Sequence, residues 1–135
     1  MDSANIKELM QASALDAVAF AKEQQIDLDG SIKSIETVQQ ILDQLRNETL
    51  SDKHLFTLSY IFGAYIGEIF IENYGGHWFH QEKQGDEPPQ TFIINDPYSY
   101  AFPGIVYLYL MGQEQYSLVH YFDKIAEQYP TSTDQ

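Results

Sequence analysis

No cysteine occurs anywhere in the chain, so thiol catalysis, cysteine-ligated zinc and disulfide stapling are all excluded. Basic residues are scarce as well: 7 Lys and Arg stand against 20 Asp and Glu, a net charge of −13. That balance disfavours nucleic acid and anionic membranes as direct partners, because either needs a cationic surface to displace its counterions. A basic protein is the expected partner. Long apolar runs are missing too, and no stretch reaches the roughly 20 consecutive apolar residues of a membrane helix. The opening Met1 Asp2 Ser3 Ala4 Asn5 lacks the cationic start of a signal peptide, which makes a cytoplasmic location the expectation. Phosphate-cradling glycine loops, the G-x-S-x-G elbow and H-E-x-x-H are also absent, and no cofactor is expected.

What is present suffices for a fold. The 135 residues are 44% hydrophobic and 14% aromatic, too apolar for disorder and long enough to bury a core as one domain, 1–135. The acidic excess is spread evenly: 4 basic and 9 acidic residues fall in 1–50, 2 and 6 in 51–90, and 1 and 5 in 91–135. The whole surface is therefore negative, with no separate acidic arm. Only residues 130–135 read as a frayed tail.

Ile6, Met10, Ala14, Ala17 and Ala21 recur at helical spacing and predict an amphipathic helix from Ser3 to about Gln24. Asp29 and Gly30 break it. Ser31 or Ser34 can cap a second helix, whose stripe of Ile35, Val38, Ile41, Leu42 and Leu45 runs to about Asn47. A third helix spans Asp52 to Tyr74 behind a Ser51 cap. Its apolar residues cover nearly the whole circumference, leaving a polar strip of His54, Thr57, Glu68 and Glu72 into which Ile61 and Tyr65 intrude. Such a helix is central, packed on from several sides. Gly63 and Gly67 lie opposite the strip, where missing side chains let another backbone approach.

Gly75 and Gly76 end that helix. His77–Glu82 and Gln90–Asn95 then suit two antiparallel strands, and Asp96 Pro97 turns the chain into a loop. Residues 104–111 are ambiguous: β-branched and aromatic content favours a strand, whereas Pro103 before them and Gly112 after them favour a short helix. Leu118, Tyr121, Phe122 and Ile125 mark a C-terminal helix behind Ser117. The expected architecture is α+β: three N-terminal helices, a small antiparallel sheet after Gly76, and one or two C-terminal helices.

The run Phe62 Gly63 Ala64 Tyr65 Ile66 Gly67 Glu68, then Tyr74 Gly75 Gly76 His77 Trp78, Ala101 Phe102 Pro103 and Ser117 Leu118 with Tyr121 Phe122 resembles a family of small uncharacterised bacterial α+β domains. In these a GxxxGE helix leads through GGxW into a short sheet. The resemblance covers roughly residues 51–125 and rests on structural glycines and aromatics rather than reactive groups. It implies a helix after Pro103. Some similar proteins are suspected immunity proteins that neutralise toxins, which implies an inhibitor rather than an enzyme.

Three constellations bear on chemistry. Glu68 and Glu72, one helical turn apart, could hold two carboxylates within about 6 Å for acid–base work or a metal, though no Glu-x-x-His motif supplies partners. His77 and His80 point to opposite faces of a strand and cannot share one ion, so no metal is expected. Trp78 reads as a core anchor. Asp27 and Asp29 resemble a calcium loop, but Val38 stands where a bidentate Glu is needed. Tyrosine is the unusual residue: ten in all, with Tyr98, Tyr100, Tyr107, Tyr109, Tyr116, Tyr121 and Tyr129 in the last third. Tyrosines offer large contact area at low entropic cost, and Tyr98 and Tyr100, in the loop after Pro97, are the expected exposed contacts.

Two functional classes follow. One is a non-enzymatic acidic binding protein, of the immunity-inhibitor type, that meets a basic protein through Tyr98, Tyr100, Glu68 and Glu72. The other is a small metal-dependent hydrolase built on Glu68, Glu72 and His77 or His80. Convergence of Glu68 with an imidazole in one concave site favours the second, and their separation the first. A structural subunit of a homo-oligomer is a third possibility, marked by a large apolar patch.

Overall fold

In a computed structural model describing residues 3–112 and 117–129, helices α1 (Ser3–Glu23), α2 (Ser34–Leu45) and α3 (Asp52–Tyr74) come first. Strands β1 (His77–Gln81), β2 (Gln90–Asn95) and β3 (Tyr98–Tyr100) follow, then helices α4 (Phe102–Leu110) and α5 (Leu118–Ala126). This is the expected α+β order. The anticipated tail at 130–135 and Tyr116 lie outside the described residues.

Serine side chains start two helices as their spacing predicts: Ser51 Oγ accepts from the His54 N–H at 3.1 Å, and Ser117 Oγ from the His120 N–H at 2.9 Å. The entry to α2 is less direct. Ser31 Oγ accepts from the Ser34 N–H at 3.2 Å, while Asp29 Oδ1 takes both the Ser31 N–H and its hydroxyl proton, at 3.0 and 2.7 Å. Those two bonds hold the Asp29 carboxyl below the usual carboxylate range.

Helix α3 is central. The Ile6, Met10, Ala14, Ala17 and Ala21 face of α1 and helix α4 pack against it, while α2 packs on α5. Its two interior glycines are where neighbours come closest. A Cβ at Gly63 would stand 2.4 Å from Pro103 Cα, and one at Gly67 2.3 Å from Trp78 Cη2. The first glycine admits the start of α4 and the second the indole of β1. Ile61 and Tyr65, which intrude on the polar strip, are both buried, Tyr65 against the α1–α2 connection. Ser34 Oγ gives its proton to the Ser31 carbonyl at 2.6 Å, so the Tyr65 hydroxyl donates to Ser34 Oγ at 2.7 Å and accepts from the Gly30 N–H at 2.8 Å.

Gly75 and Gly76, at φ 91° and 104°, turn the chain out of α3 in a region closed to most side chains. Asn95 Nδ2 donates to the freed Tyr74 carbonyl at 3.0 Å. The sheet has the order β1-β2-β3, antiparallel throughout. Trp78 pairs with Ile93 and Ile93 with Tyr100, one row across three strands, and all three side chains are buried toward α3.

The stretch left open between strand and helix is a helix, as the resemblance implies: residues 104–110 lie in α4, with Pro103 in its first turn, and Val106, Tyr109 and Leu110 bury at helical spacing. Two expectations are corrected. Tyr98 and Tyr100 are not in a loop: they form β3, and Tyr100 is only 7% exposed. The cause is cooperative packing. The Tyr100 ring lies 4.9 Å from that of Phe70, and its hydroxyl is bonded to Tyr129 at 2.9 Å. Phe56, one of the apolar residues around α3, is 69% exposed, although its neighbour Leu55 is buried.

Candidate functional site

The exterior carries the charge. Every Asp and Glu among the described residues is exposed except Glu68, which is half-buried, and all 7 Lys and Arg are exposed too. Neutralising contacts are sparse. Arg46 lies 3.9 Å from Asp43 and stacks over the Tyr109 ring at 4.7 Å, and Tyr109 donates to Asp43 as well. Burial first, and then that bond and the Asp43 charge, push the Tyr109 hydroxyl above its usual value.

Glu68 is the exception because of where α3 meets the sheet. Gly67 lets the edge of the Trp78 indole come close to α3, and the next residue, Glu68, then accepts from Trp78 Nε1 at 2.8 Å. Both the core role of Trp78, 2% exposed, and the bond from Glu68 to the sheet edge follow from this one junction. Beside it opens a cleft of about 400 Å³ between α1, the last turns of α3 and the start of β1. Lys7 and Gln11 line it from α1, Glu68 and Ile71 from α3, and His77 and Trp78 from β1.

The structure thus brings Glu68 and His77 into one concave site and leaves the other expected residues outside it. Glu72, one turn further on, is exposed. His80 is on the other pleat, with Nδ1 2.9 Å from Thr91 Oγ1 and Nε2 4.0 Å from Glu82. Among the described residues no three of His, Asp and Glu gather where they could hold a metal ion, fewer than the three protein ligands usual at a catalytic zinc. Glu68 and His77 do converge, the arrangement that favours the hydrolase reading, but Glu72 and His80 lie outside the cleft and no third ligand joins the pair among the described residues, so the metal centre of that reading does not assemble there.

Of the expected contact tyrosines, Tyr98 is exposed, at 45%, and Tyr100 is a core residue. The exposed tyrosine that the sequence reading passed over is Tyr107, whose ring lies 6.4 Å from Phe56, with Met111, just past the end of α4, also exposed. Lys7 and Gln11 were equally unforeseen as site residues. They stand one turn apart beside the buried Ile6 and Met10, a pattern that signals a boundary row but not what it faces. Comparison with protein-family models, with curated proteins and with solved structures finds no match to this chain.

Proposed function

We propose that this is a non-enzymatic cytoplasmic binding protein of the immunity-inhibitor type, which engages a basic protein on its acidic exterior. The observation that supports this reading is the uncompensated surface charge: all but one of the described carboxylates face solvent, against 7 exposed cations. Charge of one sign spread over a whole surface speeds encounter with a target of the other sign, such as a nuclease that must attract phosphate. Phe56, Tyr107 and Met111 add an exposed apolar spot, and Tyr98 a second aromatic contact, where such a complex gains buried area. Glu72 contributes to the negative rim.

The test is affinity capture from lysate of the native host, followed by association kinetics with the captured protein. The reading expects a basic partner whose association rate falls by about tenfold or more from low to high salt. An acidic or neutral partner, or an association rate flat with salt, refutes it.

A further inference from the structure

We infer that the cleft between α1, α3 and β1 binds a small zwitterion of the amino-acid class with an apolar side chain. Its volume of about 400 Å³ falls within the range of about 300–1,000 Å³ typical of small-ligand sites. Its walls are oppositely charged: among the described residues Lys7 of α1 is the only Lys or Arg lining it and Glu68 of α3 the only carboxylate, with the His77 imidazole beside them. Among the described residues neither is held in an ion pair, so each charge is available to a guest.

Glu68 is oriented in advance. The Trp78 N–H occupies one acceptor site of its carboxylate, and Trp78 is itself wedged on Gly67, so the remaining acceptor sites are presented without further ordering. An ammonium group is the donor that suits them. Lys7 supplies the matching contact for a carboxylate, and the Gln11 amide beside it a second donor. A guest bearing one charge alone meets repulsion from the opposite wall, whereas one bearing both is attracted by each. Ile71 and the Trp78 ring form the apolar part of the lining, where an aliphatic or aromatic side chain packs.

The chain contains one tryptophan, so its fluorescence reports this cleft alone. Titration with L-leucine and L-phenylalanine should change that emission saturably in the millimolar range. Isoamylamine, which lacks the carboxylate of leucine, and 4-methylpentanoate, which lacks its amine, should each bind about tenfold more weakly or less. Lys7→Met, on an exposed rim, and Glu68→Gln, which keeps an acceptor for the indole, should weaken leucine by a similar factor. Glu72→Gln should leave it unchanged. No saturable response to either amino acid overturns the inference, as does equal binding of the amine or the acid, or full affinity in Lys7→Met. The outcome is independent of whether a basic protein binds the exterior.

Discussion

Alanine substitution at the three glycines within helices separates intrinsic helix preference from packing. Replacing Gly by Ala in a helix gains up to about 1 kcal/mol wherever the site is open. At Gly104 it is open: the nearest atom to a new Cβ is Ala101 Cβ at 3.8 Å, an ordinary contact. Gly104→Ala should therefore stabilise the protein by about 0.5–1 kcal/mol. At Gly63 the new Cβ would lie 2.4 Å from Pro103 Cα and 2.5 Å from Pro103 N, where carbon atoms settle at about 3.5–4.0 Å. Pro103 must retreat by roughly 1 Å or more, and because the obstacle is backbone in the first turn of α4, Phe102 and Val106 move with it. Overpacking of this kind costs about 1–3 kcal/mol, and a backbone obstacle places this site at the upper end, so after a helix gain of up to about 1 kcal/mol is subtracted Gly63→Ala should destabilise by about 2 kcal/mol. Urea unfolding followed by far-UV circular dichroism reads this as a midpoint about 1 M lower, with the slope unchanged. Gly67→Ala should fall in the same direction and also shift the tryptophan emission to the red, since its Cβ would lie 2.3 Å from the indole. A Gly63→Ala protein unfolding at or above the wild-type midpoint refutes the close approach of α4 to α3.

Three further expectations concern buried polar atoms. Glu68→Ala leaves the Trp78 N–H without its acceptor and should cost about 1–3 kcal/mol, whereas Glu68→Gln should cost clearly less; equal losses in urea titration would deny the bond its role. Tyr65→Phe strands the Gly30 N–H and should destabilise by about 1–3 kcal/mol, with faster amide exchange at Gly30 as the local readout. The hydroxyls of Tyr74, Tyr100 and Tyr109 are all pushed up, first by burial and then by Asp123, by Tyr129, and by the Asp43 bond respectively. A raised folded value favours the neutral form, so their contribution is whole below pH about 10 and is lost as pH rises beyond it. Absorbance titration should show some of the ten tyrosines ionising only as the circular dichroism collapses; one step near pH 10 with native dichroism would refute this.

Helix positions were legible in the chain because each is written locally. The 3.6-residue stripes of α1 and α2, the Ser51 and Ser117 caps and the glycine stop after Tyr74 each act within a few residues of themselves. The apolar girth of α3 likewise announced a central helix. By length and composition it is also the one described helix that could cross a membrane, yet most of its apolar stretch is buried inside the protein. The glycines opposite its polar strip foretold a close neighbour, though not that Pro103 would fill one gap and Trp78 the other. What remained hidden depends on partners distant in the chain. Tyr98 and Tyr100 follow directly on the Asp96 Pro97 turn and so read as loop, and they form a strand because β2 offers an edge and Phe70 and Tyr129 enclose the Tyr100 ring. In the same way Lys7 and Glu68, 61 positions apart in the chain, acquire a joint meaning only when α1 lies alongside α3 and β1 folds back against both. Periodicity and capping act through neighbouring bonds and can be read one segment at a time. A cleft between opposite charges exists only once packing has set which surfaces face each other.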